Sequence, residues 1–179
     1  MADEGDVLTD LNLDPAAGAN GADNQPVAGI ISQYVKDLSV ENPNAPACFQ
    51  WQSQPQIDLQ FNIAAEPVNE EIHEVELKIK LSAKADEGDL YLVELAYCGL
   101  IGIRNLPDEH AHAFLYAEAP RILFPFARRV IADATRDLGF QPMMVDPIDF
   151  NGLYLQQLQR RAEAEAAQGD VPPPPAGQA

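Results

Sequence analysis

The feature that most constrains this chain is a single change in its hydrophobic period. In the first half, apolar residues recur at every second position. Beyond Leu106 they recur at helical spacing. A period of two puts alternate side chains on opposite faces of a strand, and a period near 3.6 gathers them on one side of a helix. In the first such run Ile31, Gln33, Val35, Asp37, Ser39 and Glu41 fall on one side, and Tyr34, Lys36, Leu38 and Val40 on the other. NPNAP (42–46) stops it, because its prolines resist a central strand and Asn favours turns. Ile57, Leu59, Phe61 and Ile63 form a second run, and Val75, Leu77, Ile79 and Leu81 a third. The turn Asp86-Glu87-Gly88-Asp89 leads into a fourth, with Tyr91, Val93, Leu95 and Tyr97. Short links predict an antiparallel sheet with one apolar and one wetter face.

After an apolar, Gly-containing connection at 99–106, Pro107-Asp108-Glu109 signals a helix start. Ile122, Leu123, Phe126, Val130, Ile131 and Ala134 lie at helical spacing up to Gly139, with Pro125 expected to kink the helix or mark its first turn. Asp149 can cap a last helix carrying Leu153, Leu155, Leu158 and Ala162. Four strands followed by helices predict an α+β domain.

The 179 residues suit one domain, expected over 27–165. Residues 1–26 are rich in Ala, Gly, Asp and Asn and read as an acidic disordered tail, and residues 166–179, with four consecutive prolines, as a second tail. The net charge is −17, and residues 27–160 hold 19 acids against 10 bases, so the body is acidic as well. That argues against nucleic acid and anionic membrane surfaces, both of which need clustered Lys and Arg, and favours a basic partner. No apolar run approaches a membrane span, and MADEGDVLTD lacks the basic start and apolar stretch of a secretory signal. Cys48 and Cys98 fit neither a CxxC pair nor a disulfide framework, which suggests free thiols in a reducing cytoplasm.

Nucleotide-loop, dinucleotide, zinc-protease and nucleophile-elbow motifs are all missing from the sequence. His110 and His112, two residues apart, diverge on a helix, so no metal site is expected. Cys98 beside His73 in space would make a nucleophile pair, but sequence cannot bring them together. The carboxylates from Glu66 to Glu76 read as a solvated sheet face rather than an acid–base pair.

What remains is surface. Asp37 and Glu41 share a parity, as do Leu92 and Glu94. If the two strands are neighbours, the four make an acidic patch with an apolar centre, suited to a basic protein partner; ordinary surface charge is the alternative reading. The opposite face carries more apolar side chains than few helices need, which suggests oligomer burial, an exposed groove or simply a well-filled core.

Four segments resemble the SecB-type protein-export chaperones of Gram-negative bacteria. They are YVKDLSVENPNAP (34–46), LYLVELAYCGLIGI (90–103), APRILFPFAR (119–128) and FQPMMVDPIDFNGLYLQQLQ (140–159). The resemblance spans 31–159, and the segments occur in the family's order. It implies a four-stranded antiparallel sheet with helices on one face, assembled as a homotetramer, a dimer of dimers. It further implies a cytoplasmic, ATP-independent chaperone without catalysis or cofactor. Such a chaperone holds unfolded preproteins and delivers them to the SecA motor of the translocase. The resemblance maps the motor-docking face, which takes SecA's basic zinc-containing C-terminal region, onto Asp37, Glu41, Leu92 and Glu94. It maps a second motor contact onto 155–161, and the client groove onto Tyr91, Leu100, Ile101 and Ile103. Trp51 joins that groove, two positions before the family's loop Trp, where this chain has Ser53. Val93, Leu95 and Tyr97 map onto the dimer interface. Two rivals stay open: a holdase of the same fold serving another client set, such as a toxin–antitoxin system, and a small-molecule enzyme or carrier using a cleft.

Overall fold

A computed structural model describes residues 25–169. Both expected tails fall largely outside these residues. Four strands, β1 (Val27–Glu41), β2 (Gln56–Pro67), β3 (Ile72–Ala85) and β4 (Gly88–Arg104), form one antiparallel sheet in the order β1-β4-β3-β2. The hairpin from β3 to β4 turns through Asp86 and Glu87 and closes on Gly88, whose φ of 153° a side chain would strain. β4 runs unbroken to Arg104, so 99–106 is mostly strand and not the connection expected from its glycines. Glycine is tolerated there because a helix presses close: a Cβ on Gly99 would lie 2.9 Å from a Leu123 methyl.

Beyond the sheet come α1 (Asp108–Ala113), a π-helical segment (Phe114–Glu118) and α2 (Ala119–Asp137). α2 buries Leu123, Phe124, Ala127, Ile131 and Ala134 against β4 and β3. Phe126, expected in the core, is exposed, and Phe124 takes that role. Pro125 faces outward, where water can satisfy the carbonyl that its missing N–H leaves unpaired. Gly139 ends the helix at φ 89°. Buried Thr135 accepts a 2.9 Å hydrogen bond from the Met143 N–H and so ties the following loop to α2.

α3 (Phe150–Gly169) starts as expected, with Asp149 Oδ1 accepting from the Gly152 N–H at 2.9 Å. The helix continues to Gly169, past the boundary expected at 165. Only its first residue is core: Phe150 packs edge-on to Phe61 and Phe124 at centroid distances of 5.9 and 5.6 Å. Leu153, Leu155 and Leu158 stay exposed in the single chain.

The register divides the sheet into two faces. Val75, Leu77, Ile79, Leu81 and Ala83 of β3 stand beside Tyr91, Val93, Leu95, Tyr97 and Gly99 of β4 on the side that α2 covers. The other side, which no helix covers, shows Glu74, Glu76, Lys78 and Lys80 of β3 and Leu92, Glu94 and Ala96 of β4. Strand β1 does not keep one parity throughout. Irregularities at Ile30/Ser32 and Val35/Asp37 each insert a residue. Gln33 and Val35 therefore pair with Gly99 and Tyr97 on the covered side, while Asp37 and Glu41 pair with Ala96 and Leu92 on the open side. The uniform side expected from Ile31 to Glu41 is thus corrected by two extra residues.

Candidate docking face and aromatic end

The open face collects the four residues that strand parity grouped. Glu41 lies opposite Leu92, Ser39 opposite Glu94 and Asp37 opposite Ala96. Neighbouring strands are about 4.8 Å apart, so these side chains form one contiguous patch. Asp37 and Glu41 are exposed, and Leu92 and Glu94 half-buried. Among the described residues neither Asp37 nor Glu41 has an ion-pair partner. Glu94 accepts from Lys80 Nζ at 2.7 Å, and that bond holds its carboxyl below the usual range.

Further along the same face several charges pair with one another. Lys36, the extra residue of the second bulge, lies 2.5 Å from Glu74 Oε2 and 3.9 Å from Glu76. Tyr34 donates its hydroxyl proton to Glu74. These bonds lower Glu74, raise Lys36 and push the Tyr34 phenol up to about 12. Cys98, opposite Tyr34 and Glu76, is fully buried, and burial pushes its thiol up to about 11, so it is no nucleophile at neutral pH. His73 pairs with Ile101 on the covered side, so the Cys98–His73 pair that sequence left open is split by the sheet. Asp37 and Glu41 thus carry negative charge beside Glu94 and Leu92 with no ion-pair partner among the described residues, as do Asp58 and Glu66 of β2 on the same face.

The residues expected to line a client groove fall in three places. Tyr91 and Trp51 lie at the hairpin end, where the Trp51 ring stands 3.3 Å from where a Cβ on Gly88 would lie and Tyr91 packs at a tilt against Phe140, ring centroids 5.0 Å apart. Phe49, half-exposed at 52%, packs on Phe140 at 5.4 Å. From the sequence, Phe49 figures only as part of the apolar loop 48–51 and Phe140 only as part of the FQPMM segment, both near turn residues. Ile101 and Ile103 are buried on the covered side, roughly 33 and 40 Å along β4 from Tyr91 at about 3.3 Å per residue. Leu100 points to the open face, opposite Ser32 and Glu74, because its parity is even. These five do not form one groove in the single chain.

Val93, Leu95 and Tyr97, expected between subunits, are core positions here, with Leu95 at 0% exposure. The helix that follows the sheet folds back over the same face, and that covers them. The neighbours left open are Leu38 and Val40 on edge strand β1, at 42% and 37% exposure. They line a shallow cleft with Val130 and Leu138 of the helical side.

This arrangement, a four-stranded sheet with one helix-covered and one acidic open face, has clear relatives. A family model described as preprotein translocase subunit SecB matches residues 21–161. The chain belongs to the SecB family. It is 73% identical over 179 residues to the protein-export protein SecB of Erythrobacter litoralis, covering all of both chains. It is 59% identical over 180 residues to that of Novosphingobium aromaticivorans, again covering all of both. Among solved structures, the SecB-like chaperone of Mycobacterium tuberculosis, bound to a peptide of an antitoxin, is similar with a TM-score of 0.57. That likeness covers 68% of this chain and 90% of the other at 18% identity, and it bears on the fold alone. The family is one of protein-export chaperones, which is not an enzyme class. No helix among the described residues is long and apolar enough to cross a membrane.

Proposed function

We propose that this chain is a cytoplasmic, ATP-independent holdase that keeps preproteins unfolded and hands them to SecA through its open sheet face. The observation that carries the reading is the cross-strand grouping of Asp37, Glu41, Leu92 and Glu94 on the uncovered side of β1 and β4. Two unpaired carboxylates around an apolar Leu92 suit a basic segment that also offers an apolar residue, such as the zinc-containing C-terminal region of SecA. Unfolded clients would be held by apolar and aromatic surface, with Phe49, Trp51, Tyr91 and Phe140 as one station. A homotetramer would join several such stations, so that weak contacts add to avidity and still release. Exposed Leu38 and Val40 on β1 and Leu155 and Leu158 on α3 supply apolar surface for subunit contacts, and 155–161 is a second candidate contact with SecA.

Light scattering on the full chain, alone and with a reduced, unfolded preprotein, tests this. A mass near four chains that takes up the unfolded client and ignores its folded form is expected. Client uptake should persist in high salt while SecA binding, followed by calorimetry, weakens, since salt screens surface charge beyond about 8–10 Å. A monomer indifferent to unfolded chains would overturn the reading.

A further inference from the structure

The three acids of the docking face are not equivalent. Among the described residues Asp37 and Glu41 on β1 have no ion-pair partner, whereas Glu94 on β4 is already held by a base from the far side. Lys80 of β3 lies directly opposite Glu94 in the register, and its Nζ is 2.7 Å from Glu94 Oε1. On the β1 side Glu94 faces only Ser39, which carries no charge. The other bases of the open face are engaged elsewhere or stand apart: Lys36 holds Glu74, and Lys84 reaches Asp89 at 3.6 Å. Lys78, opposite Ala96, makes no ion pair among the described residues.

We propose that Lys80 is a built-in competitor for the docking site, a positioning residue that occupies Glu94 until a basic protein segment displaces it. The proposal rests on the docking reading above. Its occupant is a segment carrying several Lys, Arg or His residues plus an apolar side chain for Leu92. A lone cation gains little by replacing one ammonium with another at Glu94. A segment that reaches Asp37 and Glu41 at the same time gains two unopposed carboxylates and can meet the cost of displacing Lys80. The lysine therefore discriminates against isolated positive charge and hastens release once the partner's other contacts break. Both partners are partly exposed, with side-chain exposures of 51% for Lys80 and 30% for Glu94, so the competition is mild. Exposed ion pairs of this kind correspond to about two- to fivefold in an equilibrium constant.

The test is calorimetry of the full-length chain with the C-terminal region of SecA at low and physiological salt. Lys80→Gln should tighten binding about two- to fivefold. Lys80→Arg, which can keep the pair, should bind like the unsubstituted chain. Lys84→Gln removes the same charge from the same strand without freeing Glu94, and so measures the general electrostatic effect. In a Glu94→Gln background, Lys80→Gln should do no more than Lys84→Gln does. NMR titration of the Glu94 carboxyl reads the pair without any partner: it should move back up in Lys80→Gln, leaving Lys78 as the nearby base and Asp37 and Glu41 as the flanking acids. If the unsubstituted chain binds but Lys80→Gln binds equally or more weakly, the competitor role is wrong and the docking face stands. If the unsubstituted chain does not bind, the docking reading fails and the proposal falls with it.

Discussion

On the covered side of β4, Val93, Leu95 and Tyr97 are sealed beneath α2. One residue away in each case, on the open side, Leu92, Glu94 and Ala96 line up with Glu41, Ser39 and Asp37 of β1. The same strand thus supplies a core and the proposed docking surface, separated by nothing but the two-residue period of the backbone. The covered positions are held by close packing, where each missing methylene leaves a void. The open positions are held by water and a few ion pairs, so their side chains can change without disturbing the fold. A substitution on one face should therefore alter stability, and one on the other should alter binding.

The largest test of that contrast is Leu95→Ala. The side chain has 0% exposure, and its loss should lower unfolding free energy by about 2–5 kcal/mol, read by urea denaturation. A change below 1 kcal/mol would mean that the covered face is loosely packed. Glu94→Lys, its neighbour on the open side, should leave the urea midpoint in place and weaken SecA binding on the order of tenfold by calorimetry. Unchanged affinity would move the docking surface elsewhere.

Cys98 sharpens the comparison, because it points to the open side and is nonetheless fully buried there. In a Cys48→Ala background it should resist disulfide reagents at pH 8 and react as the chain unfolds or as pH approaches about 11, where its thiol ionises. Prompt labelling at pH 8 would show that the β1 edge opens easily.

The smallest effect concerns the Tyr34–Lys36–Glu74 cluster. Glu74 is held below its ordinary value of 4.5, so its contribution is complete above that pH and is lost as pH falls through the folded-state value. Lys36 is raised above 10.5, so its contribution is complete below that pH and is lost as pH rises through its folded-state value. The cluster therefore favours the fold between these limits. Lys36→Met should flatten the acid side of a plot of urea midpoint against pH between 7 and 3; an unaltered slope would show that the exposed ammonium contributes nothing measurable.

Strand existence, the hairpin at Asp86–Asp89, the cap at Asp149, the like parity of Asp37 and Glu41 and that of Leu92 and Glu94 were all legible in the sequence. Each depends on residues within a few positions of one another, where alternation and turn chemistry act directly. Register was not legible. Counting back from the two-residue turn would set Lys80 opposite Val93, but an irregularity at Ala83/Lys84 moves it to Glu94. The bulges in β1 likewise turned Gln33 and Val35 to the covered side and put Lys36 within reach of Glu74. Helix placement was hidden for a similar reason. Spacing shows which residues of α2 are apolar, but only the strand it meets decides that Phe124 is core and Phe126 surface. The sequence by itself determined the element order, the α+β class, the acidic balance and which residues within most of each strand face alike, because these follow from composition and local backbone periodicity. Only the tertiary structure decided which face the helices cover, which charges neutralise one another and which carboxylates stay free, because a one-residue shift between strands, invisible to any period, changes every partner across the sheet.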